Sequence, residues 1–244
     1  MGQLKEKVRT SWLPGFYGGI ELELKEYADS LSFEPEHCLS KEPIRMDMLL
    51  IKKEQAIVIN NPIGEIFLRY NVIEYKSPQC SISIDSFYKT VGYACLYKGL
   101  GKFKGEISEK ELTISIFRHS YPRKLFADLR KAGAVITNAH EGVYRVTGII
   151  NIPTQIVVMK QLKSGEHSAL KILTKNADVS EIRNFSNMTA GLGTPAEKNN
   201  ADAVLQVSMS SNETLFRELR NCKKINYTKS LAFFSDSTPP KSPS

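Results

Sequence analysis

The clearest chemical signal in this sequence is three polar side chains on two strand-like runs. Arg45-Met46-Asp47-Met48-Leu49-Leu50-Ile51 holds one carboxylate, and Asn71-Val72-Ile73-Glu74-Tyr75-Lys76-Ser77 holds Glu-x-Lys. Residues two apart on a strand share a face. Glu74 and Lys76 are therefore expected to emerge together, with Ile73 and Tyr75 on the opposite side. If the two runs pair, Asp47 lies beside them. An Asp, a Glu and a Lys in one small site suit a hard divalent cation and phosphate chemistry.

Glu-x-Lys alone says little, because charged and apolar residues alternate on the wet face of many strands. Asp47 adds weight. It sits among Met46, Met48, Leu49, Leu50 and Ile51, an apolar stretch of the kind buried on both faces. A buried, unpaired carboxylate is costly, so a metal or a cation is expected next to it. Mg²⁺ takes oxygen ligands in octahedral geometry, commonly one or two carboxylates plus waters and phosphate oxygens. Asp47 and Glu74 would supply the carboxylates and the carbonyl of Tyr75 a further oxygen, with Mn²⁺ as the substitute ion. Lys76, beside carboxylates, stays protonated, so its expected role is positioning water and stabilising charge.

A helical acid could complete the site. Ile20, Leu24, Tyr27 and Leu31 make one apolar stripe and predict a helix over 17–31. Glu21 and Glu23 flank that stripe on opposite sides, and the spacing does not choose between them. Trp12-Leu13-Pro14-Gly15 reads as a turn with an apolar anchor, and Gly18-Gly19 as a weak helix start.

The remaining elements follow from periodicity and punctuation. Strands are expected at 45–53 and 71–77, with a turn at Asn60-Asn61-Pro62-Ile63-Gly64 between them. A helix is predicted over 84–99, capped by Ser83 or Asp85, with Phe87, Val91, Ala94, Cys95 and Lys98 on one side. Then come a strand at 112–117, a short helix opening at Pro122 and ending at Gly133, and a hairpin around Glu141-Gly142. A strand at 155–159 and a short helix at 167–174 complete this part. The order argues for an α/β layer fold with helices against a mixed sheet. Residues 186–202 are small and polar and read as a linker. Residues 203–220 read as an amphipathic helix and 235–244 as a disordered tail.

The composition bounds the function. The 244 residues suffice for one large domain, or one with an appendage. No apolar run is long enough to span a membrane. Cys38, Cys80, Cys95 and Cys222 form no C-x-x-C pair, so reduced thiols in a cytoplasmic protein are expected. The net charge of +7 permits a polyanionic partner. The excess at Lys98, Lys102 and Lys104, and at Arg118, Arg123 and Lys124, follows the candidate site in the sequence. His37, His119, His140 and His167 make no metal-type spacing, and no Walker loop, Gly-x-Gly-x-x-Gly or Ser-His-Asp pattern occurs.

A helical Glu, then Asp47, then Glu74-x-Lys76 and a following helix resemble the PD-(D/E)XK nuclease superfamily. The wider blocks 40–47, 73–78, 86–89 and 92–98 resemble its transposase-like, recombination-promoting branch, as do Tyr121-Pro122-Arg123-Lys124-Leu125 and Gly142-Val143-Tyr144. The resemblance covers about 12–175. It implies a restriction-endonuclease-like three-layer core, with four mixed strands flanked by helices. It also implies Mg²⁺-dependent cleavage of DNA phosphodiesters, in transposition or recombination. Asp47 and Glu74 would be metal ligands, Lys76 the catalytic lysine, and Glu21 or Glu23 the helical acid; Tyr88 and Tyr93 would line the site. One departure is Met46, where the family has proline before the aspartate. The expected organisation is a nuclease-like domain over 1–175, a helical appendage over 176–234 and the tail. DNA is the expected partner, with no membrane, and a homodimer is left open. The rival expectation is a DNA-binding or assembly protein that keeps the fold without turnover.

Overall fold

The computed structural model describes residues 12–35, 48–54, 57–99 and 107–221. Asp47 and the 235–244 tail lie outside the described residues. The first elements are α1 (Leu13–Glu23), β1 (Leu31–Pro35), β2 (Met48–Lys53), β3 (Tyr70–Lys76), α2 (Ile84–Gly99) and β4 (Leu112–Arg118). Then follow α3 (Arg123–Lys131), β5 (Val135–His140), β6 (Val143–Thr147) and β7 (Thr154–Val158). The chain continues with α4 (Ser168–Lys171), α5 (Val179–Thr189), α6 (Pro195–Ser211) and α7 (Glu213–Asn221). The strands form one sheet in the order β1-β2-β3-β4-β7-β6-β5. β1, β2 and β3 pair antiparallel, β3, β4 and β7 pair parallel, and β7, β6 and β5 pair antiparallel. The protein is thus α/β, with a seven-stranded mixed sheet flanked by helices. No helix among the described residues is long and apolar enough to cross a membrane.

Alternation along the central strands divides the interior into two cores. Ile73, Tyr75, Phe117 and Val157 pack with α1 and with the helices after β7. Val72, Ile114, Ile116 and Ile156 pack with Phe87, Ala94 and Tyr97 of α2 and with Leu125, Phe126 and Leu129 of α3. β3 is buried along its length up to Tyr75, as expected of a strand covered on both faces. On the α1 side a polar row crosses the sheet. Asn71 is fully buried and donates to the carbonyls of Ile51 (3.1 Å) and Leu68 (2.7 Å), while Thr113 Oγ1 donates to its Oδ1 at 2.5 Å. Gln155 donates to Ser115 Oγ and to the carbonyl of Ile63, each at 2.8 Å, which pins the 57–68 loop to the sheet. The expected turn in that loop forms around Asn61, whose Oδ1 accepts from the backbone N–H of Ile63 at 2.8 Å.

Several elements differ from expectation. α1 starts at Leu13, because Pro14 is tolerated in a first helical turn. A 3₁₀ stretch, Lys25–Ser30, replaces its expected last turns. Gly18 falls inside the helix, and a Cβ there would lie 2.7 Å from the carbonyl oxygen of Asn200 in α6. The glycines serve close helix packing. The buried face of α2 is Phe87, Thr90, Ala94 and Tyr97, and Cys95 is exposed. Thr90 joins this face because its hydroxyl donates to the Ser86 carbonyl at 3.0 Å. Ser83, not Asp85, caps α2, accepting from Ser86 N–H at 3.2 Å. Gly133 ends α3 with φ +97°, and Ala134 N–H closes on the Leu129 carbonyl at 2.9 Å.

Residues 186–202, expected as a linker, hold the end of α5, a short turn and the first half of α6. Thr194 caps α6 in a reciprocal box with Glu197, and Pro195 opens the helix. The helix expected at 203–220 is broken at Asn212. Its side chain donates to the carbonyls of Thr174 (2.6 Å) and Ser208 (2.8 Å) and accepts from Ala177 N–H (3.1 Å).

Candidate functional site

The carboxyl ends of the three parallel strands lie along one edge of the sheet. Lys76 of β3 is in register with Arg118 of β4, and Arg118 with Val158 of β7. Because β4 is parallel to β3, α2 and the loops around it must carry the chain back across the sheet. Such strand ends are where open α/β sheets place functional side chains.

Glu74 and Lys76 come together there. Lys76 Nζ lies 2.5 Å from Glu74 Oε1, with side-chain exposures of 20% and 6%. Tyr75, between them, points the other way, and its ring stacks on Phe16 of α1 at 4.3 Å between centroids. Burial pushes its hydroxyl pKa up, and among the described residues that hydroxyl has no hydrogen-bond partner. It is a packing residue by its side chain, so any ligand role falls to its main-chain oxygen. A carboxylate this buried is stabilised by the adjacent ammonium, and the pair places one negative and one positive group at the same strand end.

Met48, the first residue of β2, is paired with Glu74. Asp47, one peptide bond earlier, lies outside the described residues. Oxygen donors suit a hard cation, and Glu74 is the described carboxylate of the expected set. Among the described residues, no three His, Cys, Asp or Glu side chains gather as a metal-ligating group.

Among the described residues, the two helical acids bind groups other than Lys76. Alternation places the Glu74 side chain on the sheet face opposite Tyr75, and Tyr75 packs on α1. Glu21 accepts from Asn200 Nδ2 at 2.7 Å. Glu23 accepts from Asn61 Nδ2 at 2.7 Å and is 2.6 Å from His167 Nδ1, a pair whose side chains are 5% and 4% exposed. The structure therefore brings Glu74 and Lys76 together and holds Glu21 and Glu23 elsewhere. Tyr88 is largely exposed on α2 with its ring edge-on to Phe87, and Tyr93 carries the ammonium of Lys89 at 5.4 Å from its ring centre.

Arg118 is the neighbour that the spacing of Asp47 and Glu74-x-Lys76 does not reveal. Residues in parallel register share a face, so Arg118 stands beside Lys76. Its guanidinium donates to the carbonyls of Cys80 (2.9 Å) and Ser120 (3.1 Å). His119 follows it, with Nε2 3.1 Å from Thr174 Oγ1. Burial, then Lys160 and Arg118, push its pKa down, so the ring is held neutral. His140 sits far along the sheet against Glu65, at 2.7 Å. These histidines meet their partners across 55 to 144 residues of sequence. The chain matches no protein-family model, no curated protein and no solved structure.

Proposed function

We propose that the protein is a Mg²⁺-dependent DNA endonuclease of the PD-(D/E)XK kind, acting on phosphodiester bonds in transposition or recombination. The observation that carries this reading is the Glu74–Lys76 pair, 2.5 Å apart at the carboxyl end of a central strand. The sheet supports it. α1, three antiparallel strands, α2 and a fourth strand parallel to β3 supply four mixed strands flanked by helices, as the resemblance implies.

Glu74, Asp47 and the carbonyl of Tyr75 would hold the ion. When bound, Mg²⁺ supplies charge neutralisation at the phosphate and acidifies a water. Lys76, paired with Glu74, orients the attacking water and adds positive charge as the pentavalent phosphorus forms. Arg118, adjacent in the register, adds a second cation on the same face. Attack by the water forms a new P–O bond and breaks the bridging ester bond; the water gives up a proton to solvent, and the departing oxygen takes one from solvent.

Plasmid cleavage with Mg²⁺ or Mn²⁺ tests the reading. Asp47→Ala, Glu74→Gln and Lys76→Ala should each lower the rate by a factor of about 100 or more, the scale of removing one transition-state charge contact. Activity that survives all three changes, or that never appears with either ion, overturns it. Salt-sensitive DNA retention without cleavage, indifferent to Glu74→Gln, would favour the non-catalytic DNA-binding reading instead.

A further inference from the structure

The buried Glu23–His167 pair borders an open cleft of about 290 Å³ on the α1 side of the sheet. Its walls are the end of α1, the 3₁₀ stretch after it, the turn at 60–62, the chain entering α4, and Met188 of α5. The volume is at the small end for ligand pockets.

Two polar atoms at this cleft are unused. Glu23 Oε1 takes both donors that reach the carboxylate, Asn61 Nδ2 at 2.7 Å and His167 Nδ1 at 2.6 Å. Among the described residues, Glu23 Oε2 has no hydrogen-bond partner, and neither has His167 Nε2. Both side chains are 5% exposed or less, yet neither atom is sealed from solvent, so the two open onto the cleft that they line. Because Nδ1 donates to a carboxylate, the neutral ring presents a lone pair at Nε2. Buried polar atoms are normally satisfied, so two free acceptors side by side call for a donor.

The surroundings select the donor. Glu26 and Glu166 line the cleft with Glu23, against one lining ammonium, Lys25. Lys163, which does not line it, pairs with Glu166. A chain of net charge +7 thus carries a locally acidic cleft. Leu22, Pro62, Ala169 and Met188 add an apolar wall. Among the described residues, no three His, Cys, Asp or Glu side chains gather as a metal ion needs, so the acceptors suit an organic cation.

We propose that this cleft binds a small alkylammonium ligand, with its N–H donors on Glu23 Oε2 and His167 Nε2 and its alkyl chain on the apolar wall. Hydrogen bonds to an ionised acceptor are the strong class. Asn61 and His167 already hold the carboxylate, so little ordering is left for the ligand to impose. Glu74 and Lys76 lie on the other face of the sheet, and the site goes beyond the nuclease reading without depending on it.

The test is titration of the full chain with n-butylammonium chloride at constant ionic strength, followed by the imidazole Cε1–H NMR signal of His167, assigned with His167→Asn. The signal should shift and saturate. It should stay in place with n-butanol, which lacks the charge, and with tetramethylammonium, which lacks N–H donors. Glu23→Gln should raise Kd about tenfold or more, the scale of one hydrogen bond to a charged group. Glu26→Gln leaves the buried pair intact and should raise Kd about two- to fivefold, the scale of an exposed charge; it serves where Glu23→Gln does not fold. Glu213→Gln, exposed on α7 outside the cleft, is the charge-matched control and should change nothing. No saturable shift, an equal response to tetramethylammonium, or an equal loss in Glu213→Gln overturns the proposal. No DNA enters the measurement, so each of these outcomes leaves the nuclease reading standing.

Discussion

At the residue scale, the setting of His119 predicts a pH dependence. Burial and two cations hold its folded pKa below the ordinary 6.5. Between those two values the unfolded chain binds the proton and the folded chain does not. Its contribution is therefore intact above pH 6.5 and lost as pH falls through the folded value. Melting temperatures measured from pH 7 down to pH 5 should drop more steeply for the wild type than for His119→Gln. Parallel curves would show that the imidazole titrates alike in both states. His119 is also a residue whose environment the chain does not reveal locally, because Thr174 and Lys160 reach it from distant elements. The same limit applies to Glu23, which meets His167 before α4 and Asn61 in the 57–68 loop. Glu74 and Lys76 were legible because period two is a property of the strand backbone alone, and it also sends Tyr75 to the opposite core.

At the element scale, glycine position separates packing from propensity. Gly18 faces the backbone of α6, whereas a Cβ on Gly92 in α2 would meet nothing within 4 Å. Alanine in a helix interior gains about 0.5–1 kcal/mol over glycine. Gly92→Ala should therefore raise the urea midpoint, with an unfolding free energy higher by roughly that gain. Gly18→Ala should lower it, with a net cost of about 1–3 kcal/mol, because the clash with the Asn200 carbonyl exceeds the propensity gain. Equal shifts in both variants would mean that α1 and α6 do not approach this closely. The same contrast explains what could be read of the helices. The 84–99 helix was legible with its ends because Ser83 and Gly99 punctuate it. The start of α6 was overlooked within a polar stretch, although Thr194-Pro195-Ala196-Glu197 carries a capping box and a first-turn proline. Low hydrophobicity hid it, although Ala201, Val204, Leu205, Val207 and Ser208 make α6 a buried element.

At the scale of the molecule, the sheet edge and the helices behind it depend on each other. Phe16 of α1 stacks on Tyr75, the residue between Glu74 and Lys76. α1 is itself covered by α6, whose Val207 lies where a Cβ on Gly15 would fall, at 2.7 Å. Val204, Leu205, Phe216 and Leu219 belong to the same core as Ile73 and Tyr75. Burying an apolar side chain of this size contributes about 1.5–3 kcal/mol, and whole domains retain only about 5–15 kcal/mol of net stability. Removing residues 176–244 would strip several such side chains from one face of α1 at once. A fragment of residues 1–175 should therefore lose its cooperative thermal transition and its near-ultraviolet signal. The full chain should unfold in one step, with fluorescence and far-ultraviolet transitions that coincide. A fragment that melts cooperatively at the midpoint of the full chain would show that the helices after residue 175 are not needed to hold β3, and with it the Glu74–Lys76 pair.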